Sequence, residues 1–102
     1  ARGALHAPHL IDLEIAQVLR RYVTNQDLGA EHGRAILANL VDFPIKRHPH
    51  ERLIPRIWEL RHNLTAYDAA YVALAETLDA TLITRGQRLA AAPGHRARIE
   101  VV

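Results

Sequence analysis

The 102-residue sequence contains no cysteine, no methionine and no serine, and only five of its residues are aromatic. The lack of cysteine excludes disulfides, iron–sulfur clusters, thiolate zinc sites and a thiol nucleophile. The lack of serine excludes a serine triad, and the scattered glycines form neither a Gly-x-Gly-x-x-Gly motif nor a phosphate-binding loop. The longest apolar run, Ala69–Ala75, is far shorter than a bilayer span, which predicts a protein without a transmembrane helix.

The beginning of the chain also lacks the apolar stretch of a secretory signal, and it starts at Ala1 rather than at a methionine. We therefore expect a chain that is processed, trimmed or cut from something longer. The absence of cysteine is compatible with the cytosol. A composition that is 49% hydrophobic and 24% charged over this length predicts one globular domain covering residues 1–102.

Charge is distributed unevenly, although 13 basic and 11 acidic residues give a net charge of only +2. Residues 62–84 carry three acids and no base, whereas residues 85–102 carry four arginines and one acid. Twelve of the thirteen bases are arginine, which a GC-rich genome would also produce. The functional interpretation is a basic C-terminal rim beside an acidic centre, which suits a phosphate backbone held next to metal-binding carboxylates.

The hydrophobic pattern predicts helices that alternate with short strands. Helical spacing of apolar residues is found in 10–24, 28–42, 50–62, 66–79 and 87–92. Short apolar or β-branched stretches indicate strands over 45–47, 81–84 and 99–102. Pro8 predicts an extended segment before the first helix, and Pro55 fits a helix only near its first turn. Such alternation predicts an α/β domain with a largely parallel sheet, because parallel strands need crossover connections.

In two of these helices the apolar side chains are grouped on one side of the helix. In the segment 50–62, the residues expected mainly towards the core are Leu53, Ile54, Ile57, Trp58 and Leu60. In the segment 66–79, the residues that share one face are Tyr67, Ala70, Tyr71, Leu74 and Leu78.

Asp68 lies at the start of the predicted helix 66–79, and the seven residues after it are all apolar. A helix that is apolar nearly all round is buried, so a carboxylate at its start needs protons, hydrogen bonds or a cation. Thr65-x-x-Asp68 also has the spacing of a capping box with Thr65 as the N-cap, which is a purely structural explanation. Spacing alone leaves both explanations open.

Glu14 falls at the edge of the apolar arc of the helix 10–24. One interpretation is a half-buried glutamate paired with an arginine, and the other is a carboxylate directed across the fold at Asp68. Carboxylate oxygens suit hard cations, and Mg²⁺ commonly uses one or two of them.

Histidines at two proline turns form another pattern. His6 and His9 flank one turn, and His48-Pro-His50 forms the other. Both spacings suit a metal, but neither pair has a clear third ligand on its own element. A surface location is the simpler interpretation.

Four stretches together resemble the PIN-domain ribonucleases, most closely the VapC-type toxins of bacterial toxin–antitoxin pairs. Leu5–Glu14 is similar to the family's extended segment and following helix with an acidic residue, and Leu64–Glu76 is similar to its metal-binding helix start. Thr81–Leu89 resembles the strand that leads into the last acidic motif, and Pro93–Val102 fits the usual tail. The resemblance covers nearly the whole chain.

The resemblance implies a PIN-like three-layer sandwich, in which a mostly parallel sheet is flanked by helices and carboxylates converge on Mg²⁺ or Mn²⁺. It implies metal-dependent endonucleolytic cleavage of RNA in the cytoplasm, a cognate VapB-type antitoxin and a homodimer. Residue by residue, Glu14 and Asp68 match two acidic, metal-binding positions, and Thr84 matches a supporting hydroxyl position. Arg85 and Arg88 would hold the RNA backbone.

Two departures separate the chain from the family pattern. The sequence starts after the family's first, central strand and its aspartate, so we expect an N-terminally incomplete domain in which neighbouring strands lack that partner. Gly86 stands where the family commonly has another aspartate, and glycine supplies no ligand atom. These departures leave open a catalytically degenerate PIN domain that binds the antitoxin or RNA, and, further off, an unrelated α/β interaction domain.

Overall fold

Helices and short strands alternate along residues 4–102, which are the residues that the computed structural model describes. The strands are Leu5–Pro8 (β1), Ile45–His48 (β2), Thr81–Thr84 (β3) and Arg98–Val101 (β4). The helices are Leu10–Thr24 (α1), Ala30–Asp42 (α2), Ile54–Glu59 (α3), Ala66–Leu78 (α4) and Gln87–Ala91 (α5). The expectation about the start of the chain at Ala1 lies outside the described residues.

The predicted elements are confirmed with small shifts, and two of them differ in kind. The extended segment that ends at Pro8 is a hydrogen-bonded strand, β1. The single helix expected over 50–62 is divided into a 3-10 turn at Glu51–Leu53 and the six-residue helix α3. Pro55 lies in the first turn of α3, where its missing N–H has no intrahelical acceptor to lose.

The strands form two parallel pairs. β1 pairs with β2, with Leu5 opposite Ile45, and β3 pairs with β4, with Thr81 opposite Arg98. Helices α1 and α2 connect the strands of the first pair and α5 connects those of the second, as parallel pairing requires. The prediction of an α/β fold with parallel strands and helical crossovers is therefore confirmed.

The chain divides into two compact units, an N-terminal unit that ends at His48 and a C-terminal unit over Pro49–Val102. In the N-terminal unit, α1 and α2 pack against each other. Gly33 is buried there, and a Cβ on it would lie 3.2 Å from Val23 Cγ2 and 3.6 Å from Leu28 Cδ2. A glycine therefore allows the two helices to approach closely.

The C-terminal unit contains two clusters of buried apolar side chains. The first is formed by Leu60, Ala69, Val72 and Leu89, and Ile57, Leu64, Leu82 and Ala97 pack against it. The second is formed by Leu53, Ala73 and Leu74. Helix α4 contributes to both clusters, so the burial expected from its nearly continuous apolar sequence is confirmed.

Two of the side chains predicted to face the core, Ile54 and Trp58, are exposed instead, and Tyr67 on the shared face of α4 is exposed as well. Helix α3 has only six residues, so it presents a single face, and its inward positions go to Ile57 and to Leu60 directly after it. The Trp58 ring is 66% exposed and lies under the Arg61 guanidinium, whose central carbon is 4.5 Å from the ring centroid. This cation–π contact gives the indole a surface partner.

Candidate active site

Asp68 lies in the first turn of α4, and the helix begins where the Thr65 side chain can cap it. Thr65 has extended backbone angles, and its Oγ1 accepts a hydrogen bond from the Asp68 N–H at 3.1 Å. The N-cap predicted from the Thr65-x-x-Asp68 spacing is therefore confirmed. The cap uses the backbone N–H of Asp68 and leaves its carboxylate for other partners.

The Asp68 carboxylate is exposed, whereas the helix directly behind it is buried from Ala69 onward. Within residues 4–102 no hydrogen bond or ion pair of that carboxylate is found. A carboxylate at the start of a buried helix is a suitable ligand for a hard divalent cation.

Thr84 and Gly86 form the turn that leads from β3 into α5. The Thr84 Oγ1 accepts a hydrogen bond from the Gly86 N–H at 3.0 Å, and the Thr84 carbonyl accepts one from the Val102 N–H at 2.9 Å. The predicted supporting hydroxyl is thus half-buried and holds the local backbone. Gly86 is the N-cap residue of α5 and brings no side chain to this turn.

Arg85 and Arg88 are both exposed, on the turn after β3 and on α5. Leu89, the neighbour of Arg88, packs in the same buried cluster as Ala69, the neighbour of Asp68. One cluster therefore fixes the backbone that carries the acid and the backbone that carries this arginine. Of the predicted basic rim, Arg88 therefore lies on a helix whose Leu89 packs in the same cluster as Ala69 of α4.

Glu14 lies in α1 and is half-buried, which leaves both interpretations of this residue open. It belongs to the N-terminal unit, whereas Asp68, Thr84, Arg85 and Arg88 belong to the C-terminal unit. The predicted convergence of Glu14 and Asp68 on one cation stays a prediction.

Glu76 is an acid to which the sequence analysis gave no role, and its carboxylate connects separate parts of the C-terminal unit. Its carboxylate accepts hydrogen bonds from Arg56 Nε at 2.7 Å and Nη2 at 3.0 Å, and from the Arg96 N–H at 2.6 Å. The Arg56 hydrogen bond holds the pKa of Glu76 below its ordinary value, and the same bond raises the pKa of Arg56. Its partner Arg56 lies twenty residues earlier, so no local pattern reveals the pair.

The side chains that could act as ligands determine which metal ion the site at Asp68 could bind. Within the described part of the chain, no group of three or more histidine, aspartate or glutamate side chains is arranged to hold a metal ion. Mg²⁺ needs less, because it commonly keeps several waters and takes one or two carboxylates together with substrate phosphate. The exposed oxygens of Asp68 meet that requirement.

A family model described as "PIN domain" matches residues 1–94. The chain therefore belongs to the PIN-domain family. Every helix within residues 4–102 is too short or too polar to span a lipid bilayer.

Within that family the chain is similar to ribonucleases of the VapC group. It is 49% identical to ribonuclease VapC1 of Mycobacterium tuberculosis over 98 residues, which are 95% of this chain and 74% of that protein. It is also 49% identical to ribonuclease VapC9 over 89 residues, which are 87% of this chain and 70% of that protein. Ribonuclease VapC12 of the same organism is 39% identical over 98 residues, 96% of this chain and 76% of the relative.

Proposed function

We propose that this chain is a metal-dependent endoribonuclease toxin of the VapC type, which hydrolyses RNA phosphodiester bonds. The observation that carries the proposal is the 49% identity to VapC ribonucleases across nearly the whole chain. The exposed Asp68 carboxylate at the capped start of α4 supports it from the geometry. We also propose a cytoplasmic location, because RNA is the substrate.

In this proposal each site residue has a separate role. Asp68 holds a divalent cation, Mg²⁺ or Mn²⁺, through its exposed carboxylate oxygens. Glu14 would either bind that cation through a water or orient the attacking water. A bound cation would lower the pKa of a coordinated water and stabilise charge on the phosphate oxygens.

The remaining residues hold the substrate and the local backbone. Arg85 and Arg88 contact phosphate oxygens, so RNA binding weakens steeply as the salt concentration rises. The Thr84 hydroxyl accepts a hydrogen bond from the Gly86 N–H and thereby fixes the turn that carries Arg85. None of these contacts reads a base, which predicts weak sequence preference from this surface alone.

RNA cleavage in the presence of Mg²⁺ or Mn²⁺, with and without a chelator, tests the proposal. We expect cleavage by the wild-type chain to require the metal and to be abolished in Asp68→Asn and Glu14→Gln. Each variant removes a charge without changing side-chain size, so far-UV circular dichroism should stay unchanged. Asp42→Asn, at the exposed end of α2, is the matched control and should cleave like the wild type. Equal cleavage by all four proteins would contradict the assigned roles.

The second candidate function is a binding module that engages an antitoxin or RNA without cleaving it. Gly86 favours it, because this position has no carboxylate where the family commonly has one. Capture of the partner without metal-dependent cleavage by the wild-type chain would support this alternative. Recovery of cleavage in Gly86→Asp would show that the carboxylate absent from this position is what prevents activity.

A VapB-type antitoxin and a second copy of the chain are the proposed protein partners. Large apolar side chains are exposed in both units, among them Leu13, Val41, Trp58 and Tyr67. Apolar groups of this size are typical of surfaces that a partner covers. Light scattering of the chain alone and with the antitoxin measures both associations.

A further inference from the structure

The parallel pairing of β1 and β2 brings together two histidines that are 42 residues apart in the sequence. His6 Nδ1 lies 2.9 Å from His48 Nε2, and the ring centroids are 5.1 Å apart. The register places His6 opposite Lys46 and His48 opposite Pro8, so both imidazoles project from the same face of the strand pair. The strands thus complete a histidine pair that neither proline turn contains by itself.

The two ring nitrogens face each other, and the hydrogen bond between them requires a hydrogen on one and a lone pair on the other. Two neutral imidazoles can make this hydrogen bond, and neutral imidazole is also the form that binds metals.

We propose that His6 and His48 form a two-imidazole site for a borderline transition-metal ion such as Zn²⁺, Ni²⁺ or Cu²⁺. Metal–nitrogen bonds of about 2.0–2.1 Å in tetrahedral geometry separate two ligand nitrogens by about 3.3 Å. The facing atoms therefore need to open by only about 0.4 Å to admit the ion. The hydrogen between the rings moves through solvent to the far nitrogen of its own ring, which leaves two facing lone pairs.

Two protein ligands are fewer than the groups of three or more that are not found within residues 4–102, and they leave the other coordination positions to water. This site differs in chemistry from the one proposed at Asp68, because imidazole selects Zn²⁺, Ni²⁺ or Cu²⁺, whereas carboxylate oxygens select Mg²⁺ or Mn²⁺. An ion held by β1 and β2 together would also connect the two strands. Its binding would stabilise the N-terminal unit by mass action.

Isothermal titration of the untagged chain with Zn²⁺ at pH 7.5 tests the site. We expect one Zn²⁺ per chain, and at least tenfold weaker binding in His6→Gln and in His48→Gln. Glutamine keeps hydrogen-bonding capacity on each strand, and circular dichroism checks that the variants fold. The matched control is His32→Gln, which removes an exposed histidine from α2 and should bind like the wild type. Equal affinity in all four proteins would overturn the proposal, as would the absence of binding by the wild type.

A measurement on the wild-type chain alone makes the test independent of the variants. Pulsed electron paramagnetic resonance of the Cu²⁺ complex counts the imidazoles around the ion, and two are expected. A count of one or none would overturn the site. Titration with Mg²⁺ separates this proposal from the proposed nuclease, since Mg²⁺ should leave the His6 and His48 ring resonances unmoved and Zn²⁺ should shift both. Shifts of these resonances with Mg²⁺, or none with Zn²⁺, would contradict the assignment.

Discussion

The two compact units are stabilised in different ways. The C-terminal unit contains almost all of the buried apolar side chains, whereas α1 in the N-terminal unit has no buried residue. Polar contacts connect the elements of the N-terminal unit instead. Arg47 Nε donates to Asp12 at 2.8 Å, and Arg47 Nη2 donates to the Leu40 carbonyl at 2.8 Å. Packing should therefore dominate the stability of one unit and hydrogen bonding that of the other.

The difference follows from the two long helices. Helix α4 is apolar nearly all round and lies buried between two clusters, while α1 alternates apolar residues with acids and arginines. The proposed catalytic acids are divided accordingly, with Asp68 on the buried helix and Glu14 on the exposed one. We expect the Asp68 backbone to be the more rigid of the two, because few local openings expose a helix inside a packed core.

The largest expected effect comes from the C-terminal core. Leu60 is 1% exposed, so Leu60→Ala should lower the free energy of unfolding by about 2–5 kcal/mol through lost burial and a cavity. Leu13→Ala is the matched change in the N-terminal unit, where the side chain is 71% exposed, and its effect should stay within about 0.5 kcal/mol. Urea denaturation measures both. Similar losses in the two variants would show that the burial contrast does not govern stability.

The next effect concerns the polar centre of the C-terminal unit. Glu76→Gln removes the charge that Arg56 neutralises, and only 6% of the Glu76 side chain is exposed. We expect a loss of about 2 kcal/mol at neutral pH. Glu59→Gln removes the exposed partner of the same arginine and should change stability by less than about 1 kcal/mol.

The same pair predicts a dependence on pH. Because the pKa of Glu76 is lower in the folded chain than its ordinary value of 4.5, the unfolded chain binds more protons as the pH falls. The stabilisation is complete above the ordinary value and is lost as the pH drops through the lowered one. Urea midpoints measured from pH 6 down to pH 3 should therefore converge for wild type and Glu76→Gln. Parallel curves over that range would contradict the assigned cause.

A smaller effect is expected from the polar contacts of the N-terminal unit. Arg47→Ala leaves Asp12 and the Leu40 carbonyl without this donor, and about 1–2 kcal/mol should be lost. Amide hydrogen exchange should accelerate in α1 and β2 and stay unchanged in α4. The control is Arg34→Ala, because the ion pair of Arg34 with Glu31 is largely exposed. This variant should alter neither the free energy of unfolding nor the amide exchange rates. Equal acceleration in α4 would mean that the units do not open separately.

Local patterns in the sequence were sufficient to predict most of the helices and strands and the N-cap of α4. The apolar period placed α1 and α4, and Thr65 and Asp68 form the hydrogen bond that their spacing predicted, whereas the single helix expected over 50–62 is divided. The family resemblance is likewise confirmed by the PIN-domain match and the VapC relatives. These features depend on residues close together in the chain, or on similarity along its length.

Contacts between distant residues could not be predicted. The Arg56–Glu76 pair and the facing imidazoles of His6 and His48 depend on how separate elements pack, and spacing carries no information about that. Trp58 was assigned to a core because its period fits a longer helix than the six residues that form. For the same reason, the relation between Glu14 and Asp68 stays a prediction.

The smallest effect on stability is expected from substitutions of two N-cap glycines, one in each unit. Gly29 and Gly86 are the N-cap residues of α2 and α5, and both have the extended angles of a cap. A Cβ at Gly29 meets nothing within 4 Å, and one at Gly86 would lie 3.4 Å from Thr84 Oγ1, an ordinary contact. Aspartate at either position should add a few tenths of a kcal/mol, because its carboxylate accepts from the first free helix N–H groups.

Gly29→Asp and Gly86→Asp should have similar stability but different RNA cleavage activity. Gly86→Asp also places a carboxylate at the position where the family commonly carries an acid, so it should raise metal-dependent RNA cleavage, whereas Gly29→Asp should leave it unchanged. Thermal unfolding and the cleavage assay on the same samples measure both quantities. If cleavage rises equally in both variants, the increase comes from the added stability, and the proposal that an acid at position 86 takes part in catalysis is contradicted. A rise with Gly86→Asp alone would instead mean that the turn after β3 already has the backbone an acidic ligand needs and lacks only its side chain.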